Sequence, residues 1–123
     1  MSQPAAPVVR ITPAEAHNKM IHDGFTYVDV RTPEEFAEGR PAGAINVPFD
    51  DAFVDAMEKA FPKDARLIIG CQAGRQSLRA ARALVTVGFT HVVEQRAGFD
   101  AARGAFGEII EPGWARAGLP QDI

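Results

Sequence analysis

The only cysteine of the chain, Cys71, follows the apolar run Ile68-Ile69-Gly70 and opens a short polar loop. The loop consists of Gln72, Ala73, Gly74, Arg75, Gln76 and Ser77. A thiolate is a strong nucleophile, and it is stabilised where a strand ends and a helix begins. Ligands of parallel α/β sheets also bind at that edge. We therefore predict that Cys71 is a catalytic nucleophile and that residues 72–77 bind its substrate.

The loop after Cys71 has the residue types of an anion-binding site. Backbone N–H groups of residues 72–77 are predicted to curl around the sulfur, and Gly74 permits that curl. Arg75 would offset the repulsion between a Cys71 thiolate and an anionic substrate. Two unit charges about 4 Å apart interact by roughly 4 kcal/mol at an effective dielectric of ~20. A lone cysteine beside an apolar strand is more often a buried small hydrophobe. Core packing does not require the glycine, arginine and serine that follow, so the loop favours catalysis.

Three stretches of the chain resemble the rhodanese family. The run Cys-Gln-Ala-Gly-Arg-Gln-Ser-Leu-Arg-Ala at 71–80 is similar to the family's active-site loop, in which single-domain members often show Cys-x-x-Gly-x-Arg-Ser. The runs Val-Asp-Val-Arg-Thr-Pro-Glu-Glu-Phe at 28–36 and Pro-Ala-Gly-Ala-Ile-Asn-Val-Pro at 41–48 resemble its amino-terminal signature. The resemblance implies a three-layer α/β domain, in which helices flank both faces of a mainly parallel sheet of about five strands.

The resemblance also implies an activity, that of a thiosulfate sulfurtransferase. Cys71 would attack the outer sulfur of thiosulfate or of a related anionic donor, release sulfite and carry the sulfur as a persulfide. Cyanide, a thiol or an acceptor protein would then remove that sulfur. We expect no cofactor and no metal ion, because His17, His22 and His91 have no partner at metal-ligand spacing.

Three features depart from the rhodanese pattern. Arg40 stands where the family usually has histidine. Arg75 precedes Gln76, whereas arginine is common at the second of these two positions. The family's Gly-Gly-x-x-x-Trp ending is split here by residues 100–113, which are therefore predicted to be an insertion.

Four further residues are candidates for a supporting role at the site. Arg79 lies one helical turn after the arginine of the loop and would add to its positive field. Arg40 would add another cation. Asp29 and Arg31 are more often structural in such positions: Asp29 at a strand end accepts hydrogen bonds, and Arg31 is expected to pair with Glu35.

Three other interpretations stay open. A cysteine phosphatase needs His-Cys-x5-Arg, whereas Gly70 precedes Cys71 and Ser77 takes the place of the arginine that would grip phosphate. A protein-to-protein sulfur relay would dock through residues 100–113, whose apolar side chains either form an exposed patch or pack. Those side chains are Phe106, Ile109 and Ile110. A non-catalytic rhodanese-like interaction module is the third, and the presence of the cysteine weakens it.

The composition narrows the class of protein. The 123 residues, 46% hydrophobic and 24% charged, suit one globular domain, predicted at 9–123 after a flexible tail of residues 1–8. A net charge of -3 gives no electrostatic indication that the chain binds nucleic acid or an anionic membrane surface. We expect no secretory signal, and no apolar run approaches the ~20 residues of a membrane helix. One cysteine forms no internal disulfide, so a reduced, cytoplasmic location is expected.

Strands and helices alternate along the chain, as a parallel sheet requires. Apolar runs predict strands at 25–30, 44–47, 65–69 and 91–93, with 65–69 at the centre of the sheet. The last of these strands leads to a loop-rich tail after Gly98. That tail is expected to be anchored by Trp114 and Leu119.

The predicted helices have recognisable starts and ends. Two begin at capping boxes, formed by Thr12 with Glu15 and by Thr32 with Glu35. In both boxes a proline directly follows the threonine. A third is expected to be capped by Asp50 or Asp51 and to run to about residue 60. The fourth covers 78–87, buries Leu78, Ala81, Leu84 and Val85 on one face, and is closed by Gly88.

Overall fold

The computed structural model describes residues 7–123, so most of the predicted tail at 1–8 lies outside the described residues. The helices are α1 (Pro13–His22), α2 (Pro33–Glu38), α3 (Phe53–Ala60) and α4 (Arg75–Thr86). The strands are β1 (Val9–Ile11), β2 (Thr26–Asp29), β3 (Arg40–Pro41), β4 (Ile45–Asn46), β5 (Arg66–Gly70), β6 (His91–Gln95), β7 (Ala101–Arg103), β8 (Ile109–Pro112) and β9 (Gln121–Asp122). No helix in this described part is long and apolar enough to cross a membrane.

Five strands form the central sheet, in the order β1-β6-β5-β2-β4. Every pairing within it is parallel. The predicted α/β class and five-stranded parallel sheet are confirmed, and β5 lies at the centre. Two small antiparallel pairs, β3 with β9 and β7 with β8, lie outside the main sheet.

Helices pack on both faces of the sheet because side chains alternate along the central strand. Leu67 and Ile69 of β5 join the cluster that contains the buried apolar residues of α3 and α4. Ile68, between them, joins the opposite cluster with Ala16 of α1 and Trp114. The carboxyl end of β5, and with it Cys71, is therefore fixed by two packed layers.

The starts of α1 and α2 confirm both predicted capping boxes. The hydroxyl of Thr12 accepts from the Glu15 N–H, and the Thr12 N–H donates back to the Glu15 carboxylate. Thr32 and Glu35 repeat the arrangement at α2. These bonds are local, so the sequence alone specifies them.

Two helix starts differ from the prediction. Neither predicted aspartate caps α3: its N-cap is Ala52, and Asp50 instead accepts a hydrogen bond from the Ala52 N–H at 2.9 Å within the preceding turn. Helix α4 begins at Arg75 rather than Leu78, because Gly74 takes a left-handed φ of 85° and turns the chain directly into the helix. The loop is three residues shorter than predicted.

Residues after Gly98 contain more strand than predicted. The segment predicted to be an insertion, 100–113, contains the β7–β8 hairpin. Trp114 is a buried anchor, as predicted: its ring meets Tyr27 edge to face at 5.4 Å and its Nε1 donates to the Pro120 carbonyl at 2.7 Å. Leu119 packs against the same cluster.

Candidate active site

The Cys71 sulfur lies immediately after β5, at the amino end of α4. Its Sγ accepts hydrogen bonds from the backbone N–H of Gly74 at 3.1 Å and of Ser77 at 3.3 Å. Two amides, rather than the whole run of residues 72–77, thus point at the sulfur. This arrangement supplies the partial positive charge that a thiolate or another sulfur anion requires.

Cys71 is 4% exposed, yet it lines a cavity of about 270 Å³. The other lining residues are Arg31, Glu35, Gln72, Ala73, Arg75 and Gln76. A neighbouring cavity of about 260 Å³ shares Arg31, Glu35 and Gln72 with it. Four of the six predicted loop residues therefore line one small opening beside the thiol, together with Arg31 and Glu35. Gly74 and Ser77 do not line it: Gly74 lines another cavity, and Ser77 is buried.

The chain that follows β6 fixes the shape of the Cys71 loop. The Phe99 N–H donates to the Cys71 carbonyl at 2.7 Å, and the Asp100 N–H donates to the Gln72 carbonyl at 3.1 Å. Gly98 allows this approach, because a Cβ there would overlap the Gln72 carbonyl. The loop geometry is thus held by backbone contacts that need no ligand.

Arg31 pairs with Asp29, which corrects the predicted pairing with Glu35. Arg31 Nη2 lies 2.8 Å from Asp29 Oδ2, and Arg31 Nε lies 3.0 Å from both carboxylate oxygens. The two residues are i and i+2 at the end of β2, so their side chains lie on one side. The Glu35 carboxylate is instead bonded to Thr32 in the capping box.

Besides its ion pair with Asp29, Arg31 contacts three other residues around the site. Its guanidinium donates to the Gly39 carbonyl at 2.7 Å and to Gln72 Oε1 at 3.3 Å, and it stacks over the Phe99 ring at 4.4 Å. Asp29 accepts a further bond from the Arg31 N–H. The predicted structural role of Asp29 as an acceptor is confirmed, while Arg31 additionally lines the cavity of Cys71.

The other predicted arginines divide between the site and its surroundings. Arg75 is exposed and lines the cavity that contains Cys71. Arg79 lies over the ring of Phe49 at 5.7 Å, and Arg40 lies over the ring of Phe36 at 4.8 Å. The structure therefore places Arg75 at the cavity of Cys71 and places Arg79 and Arg40 against aromatic rings instead.

Behind the sulfur lies a chain of buried polar side chains that was not predicted from the sequence. Cys71 Sγ lies 3.2 Å from Ser77 Oγ, and Ser77 Oγ donates to Glu94 Oε2. Glu94 Oε1 is in turn bound by Arg10 Nε at 2.6 Å, and Arg10 Nη2 reaches the Gly74 carbonyl at 3.1 Å. A glutamate next to the apolar run of β6 was the available signal, because charged residues are rarely fully buried without a partner.

Gln95 and the Tyr27 hydroxyl form a second buried polar group near the Cys71 loop. Gln95 Nε2 donates to the Tyr27 hydroxyl at 3.1 Å and to the Gly98 carbonyl at 2.8 Å. Burial raises the pKa of Tyr27, so its hydroxyl stays neutral. A Cβ on Gly70 would overlap that hydroxyl, so the residue before Cys71 has to be glycine.

A larger cavity of about 580 Å³ lies on the other side of Arg75. It shares Ala73 and Arg75 with the cavity of Cys71. Its remaining charged lining residues are Arg10, Arg96, Arg103 and Glu111. The β7–β8 hairpin forms one wall, so residues 100–113 extend the surface around the loop.

Known proteins resemble this chain over most of its length. A model of the Rhodanese-like domain family matches residues 12–105. Thiosulfate sulfurtransferase 16, chloroplastic, of Arabidopsis thaliana is 35% identical over 115 residues, which cover 85% of this chain and 85% of that protein. Thiosulfate sulfurtransferase GlpE of Haemophilus influenzae is 33% identical over 116 residues, covering 94% and 96%. Some other relatives are longer: the chain spans 59% of senescence-associated protein DIN1 of Raphanus sativus, at 34% identity.

Solved structures agree with the fold. The crystal structure of Rv0390 from M. tuberculosis superposes with a TM-score of 0.78 at 24% identity and covers 95% of this chain and 98% of that one. At 24% identity, this structural similarity supports a conclusion about the fold alone. The family model covers residues 12–105, which include β5, the Cys71 loop and α4. This chain therefore belongs to the Rhodanese-like domain family.

Proposed function

We propose that this chain is a sulfurtransferase that takes a sulfane sulfur from thiosulfate or a related anionic donor and carries it on Cys71 as a persulfide. The observation that supports this most is the sulfur that accepts two backbone N–H bonds while lining a cavity. Two relatives bear the name thiosulfate sulfurtransferase. Arg31 and Arg75 supply the cations that a dianion needs.

In the proposed loading step, a new bond joins Cys71 Sγ to the outer sulfur of thiosulfate. The sulfur–sulfur bond of thiosulfate breaks, and its electron pair leaves with sulfite. The terminal sulfur of the resulting persulfide carries the negative charge. An acceptor, cyanide or a thiolate, then attacks that terminal sulfur, and Cys71 leaves as a thiolate. The Gly74 and Ser77 amides favour the anion that returns in this second step.

Intact-mass measurement tests the proposed function. The reduced protein is mixed with thiosulfate, desalted and weighed, and then treated with cyanide. We expect a gain of one sulfur atom that disappears with cyanide, together with formation of thiocyanate. If no sulfur is gained while iodoacetamide still labels Cys71, the chain is better explained as a non-catalytic interaction module.

The Arg75→Ala variant is expected to lose about tenfold in the rate of loading from thiosulfate. Release of a preloaded sulfur to a neutral acceptor should change less, because the proposed partner of Arg75 is the dianionic donor. Arg82→Ala is the matched control, since Arg82 is exposed on the same helix. Single-turnover rates of the two half-reactions measure the difference. Equal losses in both would contradict the assignment of Arg75 to the donor.

A protein acceptor is a second candidate for the sulfur, and the hairpin favours it. Phe106 is 95% exposed and Ile110 is 70% exposed, so the predicted apolar patch faces solvent. The patch adjoins the cavity of about 580 Å³ that shares Arg75 with the sulfur site. We further propose a reduced, cytoplasmic location, because the single cysteine has no internal disulfide partner and its thiol must stay free to accept sulfur.

A further inference from the structure

The cavity of about 580 Å³ beside the Cys71 loop is not used by the proposed loading step. Thiosulfate is a small anion, and the cavity that Cys71 itself lines already measures about 270 Å³. Pockets that bind small organic molecules measure roughly 300–1,000 Å³. The larger cavity falls in that range, so it has room for a reactant bigger than the donor.

The lining of the larger cavity carries more positive than negative charge. Its charged residues are Arg10, Arg75, Arg96, Arg103 and Glu111. The chain as a whole has a net charge of -3, so cations are concentrated here against the overall balance. The cavity therefore favours an anionic ligand.

Arg75 and Arg103 have no carboxylate of their own. Arg75 forms no ion pair within residues 7–123. Arg103 Nη2 lies 3.1 Å from Asp100 Oδ2, but the other oxygen of Asp100 is bound by Arg116 Nε at 2.8 Å. Arg116 does not line the cavity. The ion pairs around the cavity therefore leave a surplus of positive charge in it.

The other guanidinium groups are held in place and still open to solvent. Arg10, Arg96 and Arg103 each use two nitrogens in hydrogen bonds to carboxylates or backbone carbonyls. Their side chains are nevertheless 40%, 43% and 39% exposed. A guanidinium has more N–H groups than these bonds use, so each keeps donors for a ligand. Because these donors are fixed before a ligand arrives, less side-chain entropy is lost on binding.

We propose that the larger cavity binds the sulfur acceptor and that this acceptor is a small thiol bearing carboxylate groups. The carboxylates pair with the guanidinium groups, whose planar geometry matches them. The carbon chain of the thiol packs on the apolar part of the lining, formed by Leu78, Ala102 and Ile110. The proposal rests on the proposed function, since it names the class of molecule that takes the sulfur from Cys71.

The position of the cavity suits the second half-reaction. Ala73 and Arg75 border both cavities, so a ligand held by the arginines extends towards the opening at Cys71. The terminal sulfur of a persulfide lies about 2 Å beyond Sγ. In the transfer step, a new bond joins the thiolate sulfur of the acceptor to that terminal sulfur. The bond from the terminal sulfur to Cys71 Sγ breaks, its electron pair stays on Cys71 as a thiolate, and the acceptor leaves as a persulfide.

Sulfur release from the preloaded protein tests the proposal, with glutathione and its diethyl ester as acceptors. The ester has the same thiol but no carboxylate. Each rate constant is divided by the thiolate fraction of its acceptor, so the ratio of the two reports recognition of the carboxylates. We expect a ratio of about ten in the wild type and a ratio about fivefold smaller in Arg103→Gln. A wild-type ratio near one would overturn the proposal and favour a protein acceptor.

Arg116→Gln is the matched control. Arg116 pairs with the same carboxylate as Arg103 but does not line the cavity, so its variant should keep the wild-type ratio. An equal fall in both variants would contradict the proposal, because the effect would then come from the pairing of Asp100 and not from the cavity.

Binding of S-methylglutathione separates this proposal from the proposed function, because its capped sulfur takes part in no transfer. Calorimetric titration of the unloaded protein should detect binding that weakens about fivefold in Arg103→Gln and is unchanged in Arg116→Gln. If thiosulfate never loads Cys71, the proposed function fails, and this binding pattern still supports the site for carboxylate-bearing thiols. Absence of binding to the wild type would overturn the proposal whatever the loading experiment shows.

Discussion

The Cys71→Ser variant is expected to gain no sulfur from thiosulfate and to lose more than about a thousandfold in thiocyanate formation. The replacement hydroxyl occupies the place of the sulfur between the Gly74 and Ser77 amides. It does not form a persulfide, so the reaction has no covalent carrier. The measurement combines intact mass after thiosulfate with a colorimetric assay of thiocyanate.

Stability provides the control for this variant. Cys71 belongs to the core cluster with Val30 and Ile69, but serine is close to it in size and finds the same amide partners. The free energy of unfolding should therefore change by about 1 kcal/mol or less. A folded Cys71→Ser protein that still gains the mass of a sulfur atom would disprove the persulfide assignment, since the variant contains no thiol.

The Asp29→Asn variant is expected to lose about 3–5 kcal/mol of stability. Asp29 and Arg31 are both buried, with side chains 2% and 4% exposed. Removing the carboxylate charge leaves the guanidinium buried without its counter-ion. For a chain of this size the melting temperature should fall by roughly 10–20 °C. Thermal unfolding followed by circular dichroism measures the change.

Replacing both members of this pair separates charge from packing. A buried pair exchanged for apolar residues of similar volume often costs little, so Asp29→Leu with Arg31→Met should recover much of the loss. Sulfur loading should not recover in this double variant, because Arg31 lines the cavity of Cys71. An Asp29→Asn melting temperature within ~2 °C of the wild type would show that the pair contributes little.

The features predictable from sequence are those fixed by neighbours along the chain. The capping boxes at Thr12 and Thr32 depend on residues three positions apart, and the structure contains both. The cysteine loop was also recognisable, because its glycine, arginine and serine follow the nucleophile directly. Gly74, predicted to permit the curl, has the left-handed φ that does so.

The buried polar chain behind the sulfur escaped prediction because it depends on contacts between distant segments. The ion pair of Glu94 with Arg10 joins β6 to β1, residues that are 84 positions apart. The partner of Arg31 was missed for a local reason: a spacing of four residues suggested Glu35, whereas Arg31 pairs with Asp29, which ends β2 two residues earlier. The β7–β8 hairpin was hidden because its strands are short and mostly exposed, so no apolar alternation marks them.

The β7–β8 hairpin shares its base with the Cys71 loop, and this limits how the chain can be re-engineered. The Asp100 N–H bonds the Gln72 carbonyl, while the Asp100 carbonyl accepts from the Gly113 N–H at 2.8 Å. The two ends of the segment are thus hydrogen-bonded to each other, and Asp100 is also bonded to the residue that follows the nucleophile. A designer who shortens the hairpin, or grafts a peptide onto its tip, should cut between Asp100 and Gly113 and leave those two residues in place.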